Sequence, residues 1–109
     1  MPYNPALDEK LQHFSARWPG VERKKMFGGT GYLSAGNMVA GVHKDLLVLR
    51  VGPETEQELL KQPWCRPMDL TGKSMKGWLL IEAEGWDNED RLDELIAQAK
   101  AFVDTLPKK

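Results

Sequence analysis

Residues 24–49, KKMFGGTGYLSAGNMVAGVHKDLLVL, decide the fold of this chain. Short apolar pieces recur along this stretch, and short polar or glycine-containing connectors such as Ala35-Gly36-Asn37 and His43-Lys44-Asp45 separate them. Connectors of this length join antiparallel strands, because parallel strands require crossovers of about a dozen residues. The stretch therefore predicts a meander of antiparallel strands.

Helices are predicted on both sides of this meander. Apolar residues recur every three or four positions over residues 6–17 and again over residues 92–106. Pro53 suits the first turn of a middle helix, and Asp87 or Asn88 is placed to cap the last helix. An extended segment over residues 65–70 and a strand over residues 77–82 complete the pattern.

These elements predict one α+β domain over residues 1–109. We expect two layers, with an antiparallel sheet of about five strands packed with helices in the order α-β(3–4)-α-β(1–2)-α. No linker or internal repeat interrupts this order.

The composition is that of an ordinary folded protein. The 15 Lys and Arg against 16 Asp and Glu leave a net charge of −1, which disfavours disorder and bulk nucleic-acid affinity. The apolar runs fall far short of the ~18 residues of a membrane-spanning helix, and the N-terminus lacks a signal-peptide pattern. Cys65 is the only cysteine, which fits a reducing compartment. We therefore expect a cytoplasmic protein.

Motifs for cofactors and metals are incomplete. Gly72-Lys73-Ser74 ends like a P-loop, but Pro67 stands where the first glycine belongs. The Gly28–Gly31 run has Ser34 in place of the third glycine of a dinucleotide motif. Two histidines and one cysteine show no paired metal-ligand spacing. We expect no cofactor, no metal and no catalytic site.

The titratable residues leave alternatives open. His43 could act with Asp45 as an acid/base pair or stand solvated at a turn. Cys65 beside Arg66 is either a reactive thiolate or a buried, inert thiol. His13 is interpreted as an exposed helix residue.

Six cations are candidates for contact with a partner or a phosphate group: Lys24, Lys25, Arg50, Arg66, Lys73 and Lys76. The four lysines, with Arg23, could form one basic patch if the first and last strands are neighbours, and interleaved aromatic rings would then stack on single-stranded nucleic acid. Arg50 and Arg66 could form a contact surface with Lys25, Lys73 and Lys76 if these side chains converge on one side of the sheet. Two plainer explanations exist. Charges on an edge strand prevent unwanted strand pairing, and Arg50 and Arg66 can form salt bridges to Asp69 or Glu82.

Tryptophans and glycines complete the predictions. Trp78 is expected in the core, whereas Trp64 and Trp86 belong either to the core or to a partner contact. Seven glycines are expected to set turns, bulges and close backbone approaches: Gly28, Gly29, Gly36, Gly41, Gly52, Gly72 and Gly77.

A family resemblance rests on six segments in order: KKMFGGTGYL (24–33), GNMVAGV (36–42), LRVGP (49–53), RPMD (66–69), TGK (71–73) and MKGW (75–78). The series spans roughly residues 20–106. It resembles the N-terminal domain of the TfoX/Sxy family, bacterial regulators associated with natural competence.

The resemblance implies an antiparallel sheet backed by helices, similar in architecture to type III secretion chaperones, and a tendency to form homodimers. Competence regulators of this family usually carry a second, C-terminal helical domain. Since this chain ends at Lys109, the resemblance implies a stand-alone N-terminal domain, and it supplies no catalytic residues.

Three functions from different classes therefore remain. The first is a non-enzymatic regulatory module that binds proteins, as a homodimer using a sheet face or edge. The second is direct nucleic-acid binding by the basic hairpin surface. The third is a small-ligand binder or enzyme with a pocket near Lys25, Arg50 and Arg66.

Overall fold

The computed structural model describes residues 4–18, 20–26, 29–68 and 76–107. Its elements there are α1 (Pro5–Ser15), β1 (Val21–Met26), β2 (Gly29–Ser34), β3 (Asn37–His43), β4 (Leu46–Arg50), α2 (Pro53–Leu59), β5 (Cys65–Pro67), β6 (Trp78–Ile81), α3 (Ala83–Trp86) and α4 (Glu89–Val103).

This order confirms the predicted α+β class. Four strands precede α2 and two follow it, so the described sheet has six strands where about five were expected. The predicted extended segment over residues 65–70 contains β5, which pairs with β6. Helix α3 was not predicted, because a single turn is too short to show helical periodicity.

The six strands form one antiparallel sheet in the order β1-β2-β3-β4-β6-β5. Strands β1 and β5 are its two edges, so the sheet is open and is not a barrel. Three strands separate β1 from β6. The first and last strands of the chain are therefore not neighbours. The predicted basic patch required them to be neighbours, so that condition is not met.

The two long helices begin at asparagine caps. The Asn4 side chain accepts hydrogen bonds from the backbone N–H groups of Ala6 (2.9 Å) and Leu7 (3.3 Å). Asn88 accepts one from Arg91 (3.0 Å), which settles the choice between Asp87 and Asn88. Both caps satisfy N–H groups that have no partner within the helix.

The main core lies between the helices and one face of the sheet, hereafter the helical face. Leu7 of α1 and Leu92 of α4 are fully buried against it, as are Leu49 and Leu79, which are paired across β4 and β6. The helices thus stabilise the sheet through their apolar stripes.

A bulge in β3 interrupts the alternation of its side chains between the two faces. Tyr32 pairs with Ala40 and Leu33 pairs with Met38, which leaves Val39 as an extra residue. Val39 joins the main core, whereas Met38 packs on the opposite side of the sheet. Ala40 also belongs to the main core, so the bulge places the consecutive residues Val39 and Ala40 on the helical face together.

Candidate interaction surface

The sheet face opposite the helices carries a smaller apolar cluster to which no described helix contributes. This second face is defined by Met38, Leu46, Val48, Arg50, Arg66, Met68, Trp78 and Leu80. Val48, Met68 and Leu80 are buried, and the other three apolar side chains are half-buried around them. Alternation along β4 and β6 brings these residues to one side of the sheet.

Arg50 and Trp78 form the main polar feature of the second face. They are directly paired across β4 and β6, and the Arg50 guanidinium lies 5.1 Å from the centroid of the Trp78 ring. No described residue forms a salt bridge with Arg50. The indole therefore orients a planar set of hydrogen-bond donors.

Trp78 was expected in the core and is instead half-buried beside Arg50. Trp64 and Trp86 both belong to the main core. Of the two alternatives, core or partner contact, the structure therefore favours the core. The Trp86 indole N–H donates to the backbone oxygen of Asp45 (2.9 Å), so its polar end is satisfied inside the fold.

Arg66 lies on edge strand β5 and is half-exposed. Its guanidinium is 3.9 Å from the Glu82 carboxylate, as the plainer sequence interpretation expected. An exposed pair at this distance contributes little stability. The other predicted acceptor, Asp69, lies outside the described residues.

Lys24 and Lys25 do not converge on this face. Lys24 and Lys25 are exposed on β1, at the edge of the sheet opposite β5. The two edge strands are five strand spacings apart, a distance of about 24 Å. Lys24 lies 4.0 Å from Glu22. Lys76 is exposed just before β6, and Lys73 lies outside the described residues. The candidate cations are thus divided between the two ends of the sheet.

Both sheet edges are poorly suited to pairing with another strand. Edge strand β1 exposes charged residues from Glu22 to Lys25, and β5 has three residues and ends at Pro67, which cannot donate a backbone hydrogen bond. This favours the interpretation of the β1 cations as protection of an edge. The second face is then a better candidate than either edge for contact with a protein.

A buried carboxylate network, absent from the sequence predictions, joins α1 to β1 and β2. Asp8 accepts hydrogen bonds from Arg23 (2.6 Å), Tyr32 (2.6 Å), Thr30 (2.9 Å) and Gln12 (3.1 Å). These donors occupy the acceptor sites of one carboxylate. Asp8 therefore holds α1 on the sheet and has no acceptor left for a ligand.

The network determines the protonation of its members. Burial alone would raise the pKa of Asp8, but the hydrogen bonds from Arg23, Tyr32 and Thr30 outweigh it and lower that pKa from 3.8 to about 2. Burial and the Asp8 charge raise the pKa of the Tyr32 phenol. Asp8 is charged and Tyr32 neutral at physiological pH.

The remaining candidates for chemistry occupy separate places. Cys65 is buried, and burial together with the Glu56 charge raises the pKa of its thiol to about 11, which supports the inert alternative. The Asp45 carboxylate accepts a hydrogen bond from Asn4 (3.1 Å). His13 is exposed on α1, as interpreted. Within the described ranges, no three His, Cys, Asp or Glu residues could hold a metal ion.

The described candidate glycines serve the backbone. Gly36, Gly52 and Gly77 have positive φ angles, whereas Gly29 and Gly41 lie in strands where a side chain would collide with the neighbouring strand. Gly52 has a φ of +88° and lies against the Phe102 ring. Any side chain there would strain the backbone and would also collide with the ring. Gly28 and Gly72 lie outside the described residues.

The cavities lie away from the predicted cations. The largest of three described ones, 530 Å³, lies between α2 and α4, and its lining includes none of Lys25, Arg50 and Arg66. The others measure 260 Å³, beside Trp64, and 300 Å³, between α1 and α4. The predicted basic ligand pocket is therefore absent from the described cavities.

Comparisons with known proteins identify one family. The sequence model of the TfoX N-terminal domain matches residues 12–103, which is most of the 109-residue chain. A search of curated proteins gives no match. In the part of the chain that the structure describes, no helix has the length and apolar character needed to cross a membrane.

Proposed function

The chain belongs to the TfoX N-terminal domain family, and we propose that it is a non-enzymatic regulatory module that binds proteins through its second face. The first partner is a second copy of the chain, in line with the homodimers that the family resemblance implies. The module acts in the bacterial cytoplasm, in regulation of the competence type. Its single cysteine suits that reducing compartment.

The observation that carries this proposal is the half-buried rim of the second face. Met38, Leu46 and Trp78 surround a buried apolar centre, and Arg50 adds an oriented cation beside them. Aromatic and methionine side chains with an arginine are typical of the centres of protein interfaces. The charged and shortened edges leave this face as the better contact surface.

The same structure supports a role without catalysis. The most perturbed carboxylate, Asp8, is fully hydrogen-bonded within the fold, and the only thiol is buried with a raised pKa. The family is not a known enzyme family. Contacts and burial within the fold thus account for the shifted pKa values of Asp8 and Cys65.

Sedimentation velocity over a range of concentrations tests this proposal. Leu46→Arg places a charge in the rim of the second face, and we expect it to weaken self-association at least tenfold. Leu60→Arg is the matched control, because Leu60 is an exposed leucine at the C-cap of α2 and does not belong to the second face. A wild-type chain that stays monomeric, or equal effects of the two variants, would contradict the proposed dimer.

Binding of single-stranded nucleic acid remains the second candidate, because the Arg50–Trp78 pair offers one stacking surface and the exposed Lys76 precedes Trp78 by two residues. Fluorescence polarisation of labelled DNA at low and near-physiological salt tests it. Binding that falls steeply with salt and is lost in the double variant Arg50→Ala, Lys76→Ala would favour this candidate. No binding at low salt would remove it.

A further inference from the structure

Arg50 is a half-buried cation that has no acidic partner among the residues that the structure describes. Its guanidinium lies over Trp78, and an indole ring offers no strong acceptor to the five guanidinium N–H groups. Contact with a protein would remove this cation from water, and a desolvated cation without a hydrogen-bonded counterion is costly. A partner on the second face must therefore bring an acceptor, preferably a carboxylate, to Arg50.

Glu82 places a carboxylate at the opposite end of the same face. Trp78 and Leu80 lie on the second face, and Glu82 follows Leu80 at the same two-residue step along the chain. Its carboxylate lies 3.9 Å from Arg66, which is on that face as well. This distance is too long for a hydrogen bond, so the carboxylate can accept hydrogen bonds from another donor.

A two-fold axis across the strands brings the two ends of the face together. Val48 and Leu80 are directly paired at the buried centre, and Arg50 and Trp78 are paired two residues further on. An axis between two copies, perpendicular to the strands and over the central pair, sets each central residue against its own counterpart. The same rotation sets the partner's Glu82 over Trp78, because both are two residues from Leu80. Arg50 is then one strand spacing away, about 4.8 Å, which a guanidinium can reach.

Other two-fold arrangements of the second face fit less well. An axis parallel to the strands, between β4 and β6, sets the Glu82 carboxylate against the partner's Leu46, where it loses water without gaining a donor. An axis between β2 and β3 pairs Arg50 with the partner's Glu22, but it leaves Leu80 beyond the partner's edge strand. The axis across the strands both covers the apolar centre and supplies the carboxylate.

We propose that the second face forms a two-fold dimer in which Arg50 of each copy pairs with Glu82 of the other. This arrangement rests on the self-association proposed above and specifies its geometry. The contact is isologous, so the ion pair occurs twice, on either side of the apolar centre formed by Val48 and Leu80. The two Arg66 side chains come near the axis at the β5 edge, and each keeps a Glu82 carboxylate beside it.

Charge reversal followed by mixing tests the arrangement by sedimentation velocity. Arg50→Glu and Glu82→Arg each set like charges against each other in both ion pairs, so each variant should self-associate roughly tenfold or more weakly than the wild type. An equimolar mixture of the two variants restores both attractive pairs. It should therefore form dimers at concentrations where each variant alone is monomeric.

Neutral variants give a second measurement that does not depend on the reversed charges. The Glu82 side chain makes no cap hydrogen bond to α3, so the fold should tolerate Glu82→Gln. Because Arg50→Ala and Glu82→Gln each break the same two pairs, the double variant should self-associate about as weakly as either single variant. Fully additive losses would show that the two side chains do not contact each other in the dimer.

Glu22→Arg is the matched control for the mixing experiment. It changes the net charge by the same amount as Glu82→Arg, and it tests the axis between β2 and β3. Its mixture with Arg50→Glu should stay monomeric. Dimers in that mixture, or none in the mixture with Glu82→Arg, would overturn the arrangement while a dimeric wild type keeps the proposed function. A monomeric wild type would remove both.

Discussion

The two faces of the sheet use the same strands in different ways. The helical face buries its apolar side chains under α1, α3 and α4, and the buried Asp8 carboxylate there is fully hydrogen-bonded. Among the described residues, the second face buries Val48, Met68 and Leu80, and its Arg50 stacks on an indole without a described acidic partner. The helical face thus holds most of the described buried contacts that specify the fold, and the second face holds few.

Neighbouring leucines on β6 give the most sensitive test of this difference. Leu79 belongs to the main core and Leu80 to the second face, and both are fully buried. We expect Leu79→Ala to lower the free energy of unfolding by about 4 kcal/mol, and Leu80→Ala by about 2 kcal/mol, because the thinner cluster can collapse around the smaller side chain.

Urea unfolding of the two variants measures the difference directly. If the free energy of unfolding falls with urea concentration at the same slope in both variants, their denatured states expose the same surface. An equal or larger loss for Leu80→Ala would mean that the second face is packed as firmly as the core, and the comparison would fail.

The Asp8 network should give the next largest effect. Asp8→Ala leaves Arg23, Tyr32 and Thr30 without their acceptor, and we expect a loss of about 3 kcal/mol in the free energy of unfolding. Tyr32→Phe removes one donor and should cost about 1 kcal/mol. Glu9→Ala, at an exposed neighbouring position, is the control and should change almost nothing. A loss for Asp8→Ala no larger than that of the control would show that the network does not hold α1.

Acid should lower the free energy of unfolding through the Asp8 network on the helical face. The folded pKa of Asp8, about 2, lies below its ordinary value of 3.8, so the unfolded chain binds more protons between these values. The stabilisation of about 2 kcal/mol is complete above about pH 5 and is lost as the pH falls towards 2. Urea midpoints between pH 2.5 and 5.5 should therefore vary less in Asp8→Asn than in the wild type. An unchanged slope in the variant would assign the acid sensitivity to other carboxylates.

The sequence predicted the local elements better than their arrangement in the sheet, for a physical reason. Short connectors and apolar periodicity are local signals, so the class, the meander and the Asn88 cap could be predicted from neighbouring residues. The position of β6 beside β4 depends on pairing across the whole chain, and it separated Lys25 from Lys76. Local patterns do not contain that information.

The missed polar groups follow the same rule. Asp8 stands three residues before Leu11, on the buried side of α1, and that position was the available signal for an inward carboxylate. Its partners Arg23, Thr30 and Tyr32 lie 15 to 24 residues away. The buried Oε1 atom of Gln98 accepts no hydrogen bond from the described residues, and no local sequence pattern indicated its burial.

The smallest predicted effect concerns the exposed end of the second face. Arg50→Ala removes the cation above Trp78 and should lower the free energy of unfolding by about 0.5–1 kcal/mol, as half-exposed cation–π pairs do. Arg66→Ala, which removes only a long salt bridge to Glu82, should cost less than that. Denaturation that follows tryptophan fluorescence gives both values. If Arg50→Ala instead costs several kcal/mol, Arg50 supports the fold. A small loss of stability combined with weaker self-association would mean that the Arg50 guanidinium contacts a partner, because it then contributes little to the stability of the fold.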